Sequence, residues 1–284
     1  MRLVSFEHEG RASFGIHTGT GVIDAGARLA GGRSDLRQVL AAGELSRLEA
    51  MAALGPDLAE EDILFLPVIP NAGKILCVGI NYMSHIEETG RDVPEYPVLF
   101  TRFPDSVVGH GRPMIRPRVS TDFDYEGELA VIMGRTARHV SRADAMEYVA
   151  GYSCFNEGSI RDYQRHTIQF TAGKNFYHSG SFGPWMVTTD EQADPNRFHL
   201  QTRLNGKVLQ DAPVSDLCFD IPQLIEYCSI WTPLGPGDVI VTGTPGGVGR
   251  VRKPPVWMKA GDVAEVEIQG VGLLRNPIVD EDAA

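Results

Sequence analysis

Hydrophobic residues in most of this chain fall in short runs divided by Gly, Pro, Asn and Asp, the punctuation of strands rather than of long helices. The opening residues alternate: Met1–Phe6 and Ser13–Ile16 read as strands, with Gly21–Asp24 a candidate third. Helical spacing follows over Leu36–Leu54, and Ile63–Leu66 with the Pro67–Pro70 stretch reads as a linker. The pattern therefore divides the chain into a small N-terminal α/β unit, residues 1–70, and a larger unit, residues 71–284. The larger unit opens near Lys74 with the apolar strand ILCVGI.

Within the larger unit, GELAVIMG (Gly127–Gly134) predicts a strand ending in a turn. SRADAMEYVAGY predicts a helix, with Ser141 as N-cap and Asp144 in a weaker form of the capping box. Further strands are expected at GPWMVTT, FHLQTRLNGKVLQ, PGDVIVTG and AGDVAEVEIQ, and the Asn-Gly pair in RLNGKVL signals a hairpin. PLGPGDVIVTG and WMKAGDVAEVEIQG share a turn followed by Gly-Asp-Val and a strand, a device used twice. Many strands and few helices favour a mostly β (α+β) fold, a mixed, rolled or barrel-like sheet, over a doubly wound parallel one.

At 284 residues, 43% hydrophobic and 22% charged, the chain has the composition of a globular protein that can bury a sizeable core, not of a disordered one. A net charge of −11 argues against nucleic acid or an anionic membrane as main partner. It does not exclude an anionic substrate, because a bound divalent cation reverses the local field. No apolar run approaches the roughly 20 residues that span a bilayer, and the N-terminal residues lack the apolar core of a signal peptide. Cys77, Cys154, Cys218 and Cys228 have no CxxC spacing and read as reduced, mostly buried thiols. A cytoplasmic protein is expected.

The chemistry concentrates in carboxylates. In FDYEGELAVIMG, strand alternation points Glu126 and Glu128 to one face, which Ala130 and Ile132 continue as apolar. Two close carboxylates repel unless solvated, protonated or bridged by a cation. A solvated strand face is the commoner fate of such a pair, so the motif alone is weak. In CFNEGSIRDYQRH, Glu157 sits among small turn residues at a strand end, placed to complete an all-oxygen site; alternatively it is a helix N-terminal acid with Arg161 as its i,i+4 partner. Three carboxylates without companion Cys or His favour Mg²⁺ or Mn²⁺ over zinc.

In NYMSHIEETG, His85 and Glu88 would share a face of a short helix, the minimum equipment for deprotonating a water, although such pairs are often surface decoration. The polar residues after them suit a lid over 82–95. Lys174, in TAGKNF, could stabilise an enolate or carboxylate, or simply snorkel at the surface. In VTGTPGGVG, backbone amides and the Thr244 hydroxyl could hold a carboxylate; the loop is neither a P-loop nor a dinucleotide fingerprint.

Taken in order, NYxxHxxE, YEGELAVIMG, GYSCFNEGSIRDYQ, GKNF, GPWMVT, LNGKVLQ, PGDVIVTGTPGGVG and GVGLLRN resemble the fumarylacetoacetate hydrolase family over about residues 74 to 276. The resemblance implies a mixed β-roll fused to a small N-terminal domain, assembled as a homodimer. It maps the family's Mg²⁺ or Mn²⁺ ligands onto Glu126, Glu128 and Glu157. The water-activating pair maps onto His85 and Glu88, the active-site lysine onto Lys174, and substrate-holding positions onto Arg161, Gln164 and Thr244. One departure stands out: the family's third ligand is normally an aspartate in an Asn-Asp pair, and here it is Glu157. Tyr177–Phe182 also differs from the commoner pattern, which is expected to reshape the pocket wall.

The activity so implied is hydrolysis of a carbon–carbon bond in an acylpyruvate or other 1,3-diketo acid, such as fumarylpyruvate, maleylpyruvate or fumarylacetoacetate, within aromatic or sugar-acid catabolism. Decarboxylation of an oxaloacetate-type acid and enol–keto isomerisation would use the same site. A non-catalytic metal- or metabolite-binding protein is the alternative of a different class.

Overall fold

The computed structural model describes residues 1–29 and 32–282. Residues 30, 31, 283 and 284, which fall within the two expected units, lie outside the described residues. A large mixed sheet forms the frame. Across it the strands run Val22–Asp24, Arg11–His17, Arg2–His8, Gly180–Thr188, Val149–Asn156, Gly127–Met133, Val239–Val241, Ile75–Gly79 and Val98–Arg102. Val239–Val241 and Ile75–Gly79 pair in parallel and the other neighbours on this path are antiparallel. A second sheet, ordered Lys207–Pro213, His199–Leu204, Val263–Ile268, Gly272–Asp280 and Met114–Arg116, packs across the first. This is the mostly β, mixed architecture that the sequence predicts.

The strand Gly127–Met133 shows why the roll needs this sequence. Every residue in it is buried, so its run does not alternate apolar with polar; both faces are covered. Leu129, Val131 and Met133 enter the core beneath the second sheet with Leu200, Val266 and Leu274. Ala130 and Ile132 enter the opposite core with Ile75, Phe155 and Phe182. Glu128 and Glu126 extend the Ala130–Ile132 face, so their carboxylates are carried into a covered environment rather than into solvent.

The three N-terminal strands form where expected, and hydrogen bonding does not stop at residue 70. Leu3 pairs with Met186, which joins Arg2–His8 to the main sheet. The stretch read as a linker contributes a short strand, Leu64–Phe65, paired with Phe6 and Glu7. The helical patterning over Leu36–Leu54 resolves into two short helices, Leu36–Ala41 and Leu45–Glu49, with Gly43 between them at φ 67°. The helix expected in SRADAMEYVAGY is reduced to one 3₁₀ turn, Ala145–Tyr148, after which Val149 enters a strand. Ser141 does bond the Asp144 backbone, at 3.3 Å. The helix stops because Val149–Asn156 is held between two partner strands, and tertiary pairing overrides the apolar spacing.

The turn predictions hold in detail. Asn205 and Gly206 have φ 52° and 76°, both positive as a two-residue hairpin turn requires. The two Gly-Asp-Val devices are built alike. Gly237 and Gly261 take positive φ, and each following aspartate accepts from a backbone N–H three residues back: Gly235 to Asp238 at 2.8 Å and Lys259 to Asp262 at 3.0 Å. All four cysteines are free thiols. No helix among the described residues is long and apolar enough to cross a membrane.

Candidate metal centre

Sheet pairing assembles the carboxylates. Gly127 lies opposite Asn156 on the adjacent strand. The Glu157 N–H donates to the Glu126 carbonyl at 2.8 Å, and the Asn156 side-chain oxygen accepts the Glu126 N–H at 3.1 Å. Glu157 is thereby locked beside Glu126 by backbone geometry, not as a helix N-terminal acid. Oxygens of Glu126, Glu128 and Glu157 lie within 4.8 Å of one another, and all three residues are buried.

Cations of the chain offset this charge. Arg161 donates to Glu126 at 2.7 Å and to Asp124 at 2.8 Å. Lys174 bridges Glu126 and Glu157, 2.8 Å from Glu157 Oε2. Burial by itself would raise the Glu126 carboxyl; Arg161 and Lys174 outweigh it and hold the group well below the usual carboxylate range. Among the described residues, the hydrogen bond to Glu128 comes from a backbone N–H, that of Gly243 at 2.6 Å, and Lys174 acts on it through charge alone. Burial, with repulsion from Glu157 and Glu126, pushes its carboxyl well up. Burial alone would lower the Lys174 ammonium, but Glu126 and Glu157 raise it, so the lysine stays charged.

The donors fit a hard divalent cation. Among the described residues, three oxygens converge with no sulfur or nitrogen ligand beside them, and Glu157 Oε1 is buried without a hydrogen-bond partner. The extra methylene of glutamate, relative to the aspartate of the family pattern, does not keep this carboxylate out of the cluster.

A cavity of about 130 Å³ opens over the carboxylates. Of the nine residues singled out in the sequence, eight line it: His85, Glu126, Glu128, Glu157, Arg161, Gln164, Lys174 and Thr244. Glu88 stands behind His85 on the helix Met83–Thr89, with its Oε2 3.6 Å from His85 Nδ1, longer than a direct hydrogen bond. Both Glu88 oxygens accept the Gly247 N–H at 3.0 Å. Burial, with the Arg161 charge, lowers the His85 imidazole although Glu126 and Glu88 pull the other way. The shift favours the neutral ring, the form that accepts a proton.

The loop VTGTPGGVG is where expectation and structure differ most. Its amides of Gly243 and Gly247 hold the chain's own Glu128 and Glu88. The Thr244 hydroxyl donates to the Gly127 carbonyl at 2.9 Å and accepts from Gln210 at 2.7 Å. The loop thus pins the glutamate strand to the His85 helix.

Tyr177–Phe182 does not form cavity wall. It encloses Arg102 instead, a buried guanidinium that donates to the Gly158 carbonyl at 3.0 Å and to Ser179 Oγ at 2.8 Å. A Cβ on Gly180 would lie 2.7 Å from that guanidinium, which explains the glycine. Arg102 places a positive charge beside Glu157, and nothing in its local sequence announced this.

Asp124 was also missed, although it continues the two-residue period of Glu126 and Glu128. Fully buried, it accepts from Arg161, from the Gly249 N–H at 2.7 Å and from the Arg250 N–H at 3.0 Å.

A mixed β-roll enclosing a carboxylate cluster suited to a hard cation defines the class. The chain belongs to the fumarylacetoacetate hydrolase family: the family model described as fumarylacetoacetate (FAA) hydrolase C-terminal matches residues 74–279. A mitochondrial oxaloacetate tautomerase of Homo sapiens is 37% identical over 288 residues, 98% of this chain and 92% of that protein. The fumarylacetoacetate hydrolase of the psychrophile Exiguobacterium antarcticum superposes with TM-score 0.83 at 34% identity, covering 99% of this chain and all of that one, 100%. Maleylpyruvate hydrolase from Sphingobium sp. SYK-6, solved with manganese(II) and pyruvate, superposes with TM-score 0.82 at 26% identity over 99% and 100% of the two chains. The family thus holds hydrolases and tautomerases on one fold.

Proposed function

We propose that the protein interconverts the keto and enol forms of a small 2-oxo acid, with Mg²⁺ or Mn²⁺ held by Glu126, Glu128 and Glu157. The observation that carries this reading is the convergence of three buried glutamates on a cavity that His85 and Lys174 also line. The cation would supply Lewis-acid polarisation of the oxo group, which acidifies the neighbouring C–H. His85 takes that proton from carbon and delivers it to the oxo oxygen, which completes the enol, and the reverse transfers restore the keto acid; Glu88 behind it stabilises the imidazolium as it forms. Lys174 donates to the oxygen on which negative charge grows. Gln164, Arg161 and Thr244 shape the cavity around the acid. The likeness to oxaloacetate tautomerases along nearly the whole chain favours this reaction over the hydrolysis first expected.

Carbon–carbon hydrolysis of an acylpyruvate is the second reading, and the His85–Glu88 pair favours it, because the same base deprotonates a water when one is admitted. We place the protein in the cytoplasm as a homodimer; its four free thiols support a reducing compartment.

The test strips the protein with EDTA and presents enol-oxaloacetate, fumarylpyruvate and maleylpyruvate, with and without Mg²⁺ or Mn²⁺. Metal-restored loss of oxaloacetate enol absorbance without bond cleavage is the expected result. Pyruvate plus a second acid from an acylpyruvate moves the assignment to hydrolysis, and carbon dioxide release to decarboxylation. No reaction with metal demonstrably bound overturns the enzyme reading.

A further inference from the structure

The strand Ile75–Gly79 reaches the His85 helix, Met83–Thr89, through Ile80, Asn81 and Tyr82. In this turn Ile80 has φ 57°, in the left-handed region, where a β-branched side chain crowds its own backbone. Among the described residues, the other non-glycine residues with positive φ are Glu9, His139, His178 and Asn205. None of those is β-branched and none lines the metal cavity; Ile80 does line it. Glycine would take this backbone without strain. The chain has one next door, Gly79, whose own φ is not positive.

The surroundings hold the strain in place. Asn81 Nδ2 donates to the Thr242 carbonyl at 2.7 Å and to the Phe219 carbonyl at 3.1 Å. Its Oδ1 accepts the Phe219 N–H at 2.8 Å, and its backbone carbonyl accepts the Cys218 N–H, also at 2.8 Å. Gly243 lies against the same residue, where a Cβ would come 2.8 Å from Asn81 Cβ. A costly conformation that its neighbours over-determine, at the edge of a cavity, directs attention to what the side chain does there. Beside Ile80 the cavity is aromatic. Phe100 and Phe170 meet edge to face with ring centroids 5.6 Å apart, and a Cβ on Gly79 would touch them at 3.6 and 3.5 Å.

We propose that Ile80 is a specificity-determining residue: with Phe100 and Phe170 it forms an apolar wall that limits the carbon chain of the bound 2-oxo acid, an inference that rests on the function proposed above and adds to it the residue that sets substrate size. Ile80 offers neither a proton nor a ligand atom, so its part is confined to shape. A cavity of about 130 Å³ leaves little spare room, and one methylene more or less in such a pocket discriminates about 10- to 200-fold.

The experiment titrates Mg²⁺-loaded protein calorimetrically with 2-oxobutanoate and with phenylpyruvate, which carries a ring in place of the methyl group. The proteins are wild type, Ile80→Gly, Ile80→Ala and His139→Gly. Wild type should bind 2-oxobutanoate more tightly. Ile80→Gly should tighten phenylpyruvate about 10-fold or more and leave 2-oxobutanoate within about threefold. Ile80→Ala, which keeps Cβ, should fall between the two and is the variant to read if Ile80→Gly does not fold. His139→Gly relieves the same kind of backbone strain, at φ 53°, away from the cavity, and should leave both affinities unchanged. Mg²⁺ affinity should be the same in all four proteins.

If wild type binds both acids equally, or if Ile80→Gly shifts both alike, the wall does not measure the chain and the proposal falls, while the metal-centred reading survives. If His139→Gly reproduces the shift, relief of strain rather than added space is responsible, and the proposal falls as well. Weaker Mg²⁺ binding by Ile80→Gly would show that the turn assembles the metal site, which overturns a role in shape alone. If Mg²⁺-loaded wild type binds neither acid, the functional reading falls and takes the role of Ile80 with it.

Discussion

Glu126 and Glu128 differ by two positions and point the same way, yet the fold treats them oppositely. Glu126 has Arg161, Lys174 and Ser159 around it and stays ionised; Glu128 has one backbone amide and two carboxylate neighbours. An added cation resolves the second case. Glu126→Gln should therefore lose divalent-metal binding and turnover together, while His85→Ala should keep one equivalent of metal and lose about 10²- to 10⁴-fold in kcat. Metal analysis of the dialysed proteins beside their rates checks both. Unaltered turnover in metal-free Glu126→Gln would remove the cation from the mechanism, and equal metal loss in both variants would merge the two roles. Arg102 shows what this scale hides from the sequence. Its guanidinium is buried, but its neighbours Gly158, Ser179 and Ser106 lie far along the chain or in a turn, and only the closed roll brings them together.

Among the elements, the strands were the legible part. Period-two patterning located the N-terminal pair, and turn residues located the hairpin and both Gly-Asp-Val devices, since a required positive φ leaves a mark in the residue type. Helices were less legible. The apolar spacing over Ala145–Tyr152 suits a helix and a buried strand alike, and from Val149 onward strand pairing on both sides decided it. At the N-terminus, Asp24 joins two elements: it accepts from Ser13 on the neighbouring strand at 2.5 Å and from Ala27 N–H in the helix Ala25–Arg28 at 3.0 Å, and it pairs with Arg11. Burial raises this carboxyl, but the Ser13 and Arg11 contacts prevail and lower it below its ordinary value of 3.8. A depressed folded-state value means stability that is full above the unfolded value and lost as pH falls through the folded one. Ser13→Ala should cost about 1 kcal/mol at pH 7, and the deficit should shrink as Asp24 protonates in acid below its ordinary range. Denaturant titrations at neutral and acid pH read this directly; a deficit that is unchanged in acid would assign the loss to packing.

For the whole molecule, one sheet and one core cross from the N-terminal residues into the roll. Leu3, Phe14 and Ile23 share a cluster with Ile75, Phe155 and Phe182, and Leu3 pairs with Met186. Removing residues 1–70 would bare the Gly180–Thr188 edge and that cluster, so residues 71–284 alone should be insoluble or aggregate. Size-exclusion chromatography of the truncated chain checks this, and a monodisperse, cooperatively melting product would show that the roll folds independently. The sequence by itself determined most of the strands, where tight turns fall, and which carboxylates, imidazole and lysine converge on one cavity, because periodicity, positive-φ positions and ordered motifs are local and are written in residue type. Only the tertiary structure decided what those groups face. The charge on Glu126, the crowding of Glu128 by two carboxylates and the hidden arginine behind Glu157 all come from residues brought together across long stretches of chain, and burial and Coulomb interaction depend on distance in space rather than along the sequence.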